Sequence, residues 1–140
     1  MKNHSILDSA KKRGMNLGLQ QFKNYVDYAL KSTLDIPCIQ VAGTNGKGSV
    51  CQALCNIYDF GEYQCGLFTS PHLEHVNERI RINDQKISDE DLDRLLYRVE
   101  KTAIVWAQSQ EITDLDENPL TYFEIMTAVA LFYFEEHGVD

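Results

Sequence analysis

The run IQVAGTNGKGSVCQAL, Ile39 to Leu54, constrains the possible folds of this chain more than any other stretch. The preceding PCIQVAG is apolar and β-branched and ends on a glycine, which predicts a short buried strand. KGSVCQALCNIYDFG predicts a helix with Val50, Leu54, Ile57 and Tyr58 on its inner side and Gly61 as its stop. CGLFTS predicts a second short strand. Strand, glycine-rich turn, helix and strand make a βαβ unit, which implies parallel pairing and a right-handed crossover.

The turn has the parts needed to hold phosphate. Gly43, Gly46 and Gly48 permit a tight bend whose backbone N–H groups can converge on one anion. They sit where a strand feeds a helix N-terminus, whose dipole favours negative charge. Lys47 adds a point charge suited to β- and γ-phosphates, and Ser49 a hydroxyl. The run departs from the GxxxxGK[ST] pattern: Val41 stands at the first glycine and Gly48 at the hydroxyl position. A glycine-rich turn that merely contains a lysine is the plainer reading. Three glycines with lysine and serine in this slot favour phosphate.

The rest of the chain fits a single α/β domain without repeats or low-complexity segments. The first ~15 residues are polar and weakly patterned, which predicts a flexible or loosely docked start. From Leu19, the positions Phe22, Tyr25, Val26, Ala29 and Leu30 recur at helical spacing. RIRINDQKI alternates around Asn83-Asp84 and predicts a hairpin. Ser88 and Asp91 have capping-box spacing at the start of an amphipathic helix that runs to about Gln108. The last helix, LTYFEIMTAVALFYFEEHG, is apolar almost all round, which predicts burial, with Gly138 as its cap. A net charge of −8 with scattered lysines and arginines argues against nucleic-acid binding. There is no long apolar membrane segment.

Cys38, Cys51, Cys55 and Cys65 lack metal-ligand spacing. Cys51 and Cys55 share a helix face, where packing is the favoured role, and a reducing cytoplasm fits free thiols. His72 and His75 have no matching partner ligands and read as loop residues. Glu124 stands in the first turns of a mostly apolar helix, where an unpaired carboxylate is costly. Three readings compete for it: a polar stripe with Thr121 and Glu135, the positive end of its own helix, or an oxygen ligand to a metal.

GTNGKGS resembles the nucleotide loop of the Mur ligase superfamily, and its Gly48-Ser49 ending that of the folylpolyglutamate and dihydrofolate synthase branch. TSPHLEHVNERIRIN is similar to that branch's Ω-loop, LTYFE to its magnesium-binding helix start, and GMNLGLQQF to its pterin segment. The fold this implies is a P-loop-type open, mainly parallel sheet flanked by helices in three layers. The reaction it implies is ATP-dependent addition of L-glutamate to folate through an acyl phosphate. By the resemblance Gly43, Thr44, Asn45, Gly46, Lys47, Gly48 and Ser49 hold ATP, with Lys47 at the transferred phosphoryl group. Ser70 and Glu124 hold Mg2+, and Asn16, Leu17, Gly18 and Leu19 lie by the pterin. In bifunctional members that segment commonly begins with aspartate, so Asn16 puts dihydropteroate use in question.

Residues 1–140 correspond in this reading to the N-terminal part of the ATP-binding domain. The second metal site, the remainder of that domain and the glutamate-binding domain lie outside the match, so little turnover is expected of the chain alone. Two other readings are a non-catalytic nucleotide-binding module and a fragment of a peptidoglycan-building ligase.

Overall fold

A computed structural model describes residues 4–11, 19–30, 37–110 and 119–140. The chain divides into two compact units, residues 1–34 with 92–132 and residues 35–91 with 133–140.

The first unit is helical. It contains α1 (His4–Lys11), α2 (Leu19–Leu30), most of α4 (Asp89–Ser109) and most of α5 (Tyr122–His137). The periodic leucines of α4 are buried as their spacing predicts: Leu92, Leu95, Leu96, Val99 and Ala103, followed by Trp106. Tyr25 of α2 is fully buried, its ring edge-on to Trp106 at 5.7 Å. Its hydroxyl lies 2.8 Å from Thr102 Oγ1, so the phenol's polar end is satisfied. Burial pushes that phenol up to about 12, against the smaller opposing pull of the Thr102 bond. Arg98 stacks over the Phe132 ring at 4.0 Å, covering apolar surface with its guanidinium plane.

The expectation of a loosely docked start is corrected here. Residues 4–11 form α1, with Ile6, Leu7 and Ala10 buried. These three fall on one helical face, and their short apolar stripe is enough once a packed surface receives it. The expected cap of α5 is present, since Gly138 adopts φ 62°, a conformation that favours glycine.

The second unit contains α3 (Lys47–Phe60) and a small sheet of β1 (Gly66–Phe68), β2 (Ile80–Ile82) and β3 (Gln85–Lys86). The sheet is antiparallel in the order β1-β2-β3, with Leu67 opposite Arg81 and Arg81 opposite Lys86. The predicted hairpin is present, turning at Asn83, which takes φ 50°. Asn83 also clamps the start of β1: Cys65 N–H donates to its Oδ1 at 2.8 Å, and its own N–H to Cys65 O at 2.9 Å. The tail joins at the same end, where Gln64 N–H donates to the Asp140 carboxylate at 2.8 Å.

Two expectations differ from this unit. Among the described residues the run 37–42 forms no strand, and the only sheet is antiparallel. A strand is a pairing relation rather than a property of one segment, and β1 is paired with β2. The inner face of α3 is also displaced from the predicted one. Val50 and Ile57 are 48% and 66% exposed, whereas Cys55 is 1% exposed. The thiol points at Cys65 O and Asn83 O, at 3.8 and 3.9 Å. Burial, reinforced by Cys65, pushes the Cys55 thiol up to about 12, so it is a protonated packing group.

Gly66 tests this packing. A Cβ there would lie 2.9 Å from the buried Phe134 ring. Gly66→Ala is expected to lower unfolding free energy by about 1–3 kcal/mol, the range for overpacking a tight site. Urea unfolding measures it, and an unchanged midpoint would refute the contact.

Candidate functional site

The glycine loop is shaped by backbone conformation. Gly46 takes φ 77° and ψ −2° at the N-terminal boundary of α3, a left-handed conformation costly to residues with a Cβ. The first hydrogen bond of the helix runs from Val50 N–H to Gly46 O at 3.0 Å. The amides of Lys47, Gly48 and Ser49 therefore have no intrahelical acceptor, and among the described residues no side chain caps them. Thr44, Asn45, Gly48 and Ser49 are exposed. The Lys47 ammonium folds back to donate to Gly43 O at 2.6 Å and Thr44 O at 3.3 Å. A Cβ at Gly48 would meet nothing within 4 Å, so packing inside the chain does not require glycine there. Chemically the loop presents free donors and one cation, an arrangement able to take an anion.

Ser70 lies beyond β1, exposed, before Pro71 in a cis peptide bond. Its hydroxyl has no hydrogen-bond partner among the described residues. The loop that follows is organised by a residue the sequence reading passed over. Glu78 Oε2 accepts from Leu73 N–H at 2.8 Å, and Oε1 from Glu74 N–H at 3.2 Å and His75 N–H at 2.9 Å. These amides, Leu73 and His75 foremost, hold the Glu78 carboxyl down at about 2, against a smaller upward effect of burial. The signal was present in sequence: Glu78 stands three residues after His75, the spacing of an acid that reaches back to cap a turn. His72, read as a loop residue, accepts from Arg79 Nε through its Nδ1 at 2.8 Å.

Between α3, β1 and this loop is an open cavity of about 430 Å3, lined by Gly48, Gln52, Thr69, Pro71, Glu78 and Arg81 among others. Arg81 reaches Gln52 Oε1 at 3.0 Å and Asp84 O at 3.1 Å. Its Nε is buried without a hydrogen-bond partner among the described residues. Thus Gly48 and Ser49, at the start of α3, and the neighbourhood of Ser70 belong to the same unit.

Glu124 belongs to the helical unit. Its Oε2 accepts from Thr121 N–H and Thr121 Oγ1, both at 2.8 Å, and Thr121 Oγ1 accepts from Glu124 N–H at 3.4 Å. Of the three readings left open, the helix-end one describes these contacts: Thr121 and Glu124 form a capping box at the start of α5. Among the described residues both bonds use Oε2. Leu19 is 82% exposed at the start of α2, and Asn16, Leu17 and Gly18 lie outside the described residues. Among the described residues no group of three or more His, Cys, Asp or Glu side chains could hold a metal. No helix among them is long and apolar enough to cross a membrane.

No family model matches the chain. Comparison with known proteins nevertheless finds relatives along most of the chain. A dihydrofolate synthase/folylpolyglutamate synthase of Bacillus subtilis is 38% identical over 133 residues, 92% of this chain and 29% of that protein. The folylpolyglutamate synthetase of Lactobacillus casei superposes on 100% of the chain and 35% of its own, with a TM-score of 0.84 and 28% identity. A Mycobacterium tuberculosis folylpolyglutamate synthase complexed with ADP superposes on 99% of this chain and 31% of its own, with a TM-score of 0.82 and 25% identity. Curated homologues and structural neighbours along the whole chain are thus folylpolyglutamate and dihydrofolate synthases, and the chain spans about a third or less of the length of these relatives.

The Glu78 contacts carry a pH signature. A carboxyl held low in the folded state contributes stability that is fully present above its ordinary value of 4.5. That contribution is lost as pH falls toward about 2. The stability difference between wild type and Glu78→Gln, measured by urea unfolding, is expected to be constant above about 4.5 and to shrink across this acid window. A difference that does not change with pH would contradict the three amide bonds.

Proposed function

We propose that this chain supplies the nucleotide-binding part of an ATP-dependent ligase that adds L-glutamate to folate or dihydropteroate. The observation that carries the reading is the Gly43–Ser49 loop: three amides without intrahelical partners and one lysine at the start of α3. It is supported by overlap of the chain with a relative solved with ADP. In this reading Gly43, Thr44, Asn45, Gly46, Lys47, Gly48 and Ser49 hold ATP. The Lys47 ammonium releases the Gly43 and Thr44 carbonyls and turns to the phosphates. It then stabilises charge on the γ-phosphoryl oxygens as that group passes to the substrate carboxylate, leaving ADP. The glutamate amine attacks the acyl phosphate, an amide forms, and inorganic phosphate leaves. Asn16 to Leu19 are assigned to the pterin. A mainly parallel sheet that takes in residues 37–42, and a cytoplasmic location, belong to the same reading.

Ser70 and Glu124 are proposed to hold Mg2+. Each is by itself a hard oxygen ligand: among the described residues the Ser70 hydroxyl has no hydrogen-bond partner, and the bonds of the Glu124 carboxylate use Oε2. Magnesium binds through few protein groups and keeps waters and phosphate oxygens, which agrees with the lack of a larger acidic cluster among the described residues. Bound there, the ion would neutralise phosphate charge.

Calorimetry with Mg-ADP on the 140-residue chain tests this. Lys47→Ala is expected to weaken binding about tenfold or more, the loss of a charged hydrogen bond worth about 1.5–3 kcal/mol. Glu124→Gln keeps an acceptor for Thr121 N–H, so stability should fall by less than about 1 kcal/mol while the magnesium enhancement disappears. Gly48→Ala separates ligand approach from packing. Its helix should be unharmed or up to about 1 kcal/mol more stable, yet nucleotide affinity should fall. Absence of binding by well-folded wild type, or indifference to Lys47→Ala, would refute the proposal.

A further inference from the structure

We propose that Glu78 is a positioning residue: by locking the loop from Pro71 to His75 it holds the Ser70 hydroxyl where a cation can use it. The proposal deepens the metal reading above and rests on it. Burial does little to hold this loop. Ser70, Pro71, Leu73, Glu74 and His75 are all exposed, Leu73 by 93%. Its conformation must therefore come from polar ties, and those converge on two neighbouring residues. Thr69 N–H donates to Arg79 O at 2.9 Å, and Arg79 Nε to His72 Nδ1 at 2.8 Å. Glu78 takes the next three amides, those of Leu73, Glu74 and His75. Ser70 sits between the Thr69 tie and the rest.

Three successive amides aimed at one point form a nest of the kind that receives an external anion. Here the chain fills it with its own carboxylate. That carboxylate is set on a firm base. Val76 and Ile80, on either side of it, are buried. Asn77 Nδ2 donates to Ile87 O at 3.0 Å and to Asp89 Oδ1 at 2.9 Å. Lys86 Nζ lies 4.0 Å from Glu78 Oε1, a cation on the side of the carboxylate's other partners. Glu78 thus joins an exposed segment to a buried base, at the wall of the cavity rather than as a proposed cation ligand.

The test uses amide hydrogen exchange and magnesium-dependent ADP binding on the whole chain, for wild type, Glu78→Gln, Glu78→Asp and Ser70→Ala. Glu78→Gln is expected to speed exchange at Leu73, Glu74 and His75 about tenfold or more, while Leu95 and Leu96 in α4 keep their rates. The magnesium enhancement should fall with it by about the same factor, and Glu78→Asp, which retains the charge, should recover part of both. A protein merely destabilised would instead exchange faster in α4 and lose magnesium-free binding in proportion. Unchanged exchange at the three loop amides in Glu78→Gln overturns the proposal. So does a full magnesium enhancement in Glu78→Gln when Ser70→Ala has lost it. If Ser70→Ala itself keeps the enhancement, the metal reading fails, and the exchange rates alone decide whether Glu78 locks the loop.

Discussion

The proposed site depends on an unmet obligation at the start of α3. Every α-helix begins with amides that cannot bond within it, and two other helices here meet that demand with side chains. Ser88 Oγ accepts from Asp91 N–H at 3.0 Å at the head of α4. Thr121 and Glu124 close the head of α5. Gly46 has no side chain to offer, and its left-handed backbone turns the loop so that no neighbour substitutes. Lys47 satisfies carbonyls rather than amides, which leaves the donors directed at solvent. A phosphate would answer the amides and the ammonium together.

The two units solve their packing problems differently. The helical unit buries long apolar stripes and places its few polar groups where a partner waits, as with Tyr25 and Thr102. The sheet unit has three short strands and relies on specific joints. Asn83 ties β1 to the hairpin turn, Gly66 admits the Phe134 ring, and the Asp140 carboxylate receives Gln64 N–H. Short strands give few ladder bonds, so each such joint carries a larger share of the register.

This difference explains what the sequence made legible. α4 could be read because its periodic apolar residues and its capping spacing sit within one segment, and α5 because its nearly continuous apolar run and Gly138 do. The hairpin could be read from Asn83 for the same local reason. Residues 37–42 and the inner face of α3 could not, because pairing and burial are decided by another part of the structure. Ile39 is 59% exposed and Ile57 66% exposed, although the sequence assigns the first to a buried strand and the second to the inner side of a helix. In the site, Gly46 and Lys47 were visible because backbone freedom and charge belong to single residues. Glu78 was legible only in part: its spacing from His75 points to one amide bond, whereas those from residues 73 and 74 appear only once these amides turn toward it.

Glu124 shows how local and functional readings can coexist in one side chain. The sequence left open whether it answers its own helix or a metal, as though the roles excluded each other. A carboxylate has two oxygens and about four lone-pair sites. The capping box with Thr121 takes Oε2, fixing the rotamer and opposing the carboxylate to the helix dipole. Fixing one oxygen also fixes the other, so a cation ligand at Oε1 would be oriented before the ion arrives. Under the proposed metal reading the cap would hold that ligand still, because loss of side-chain freedom has already occurred in folding.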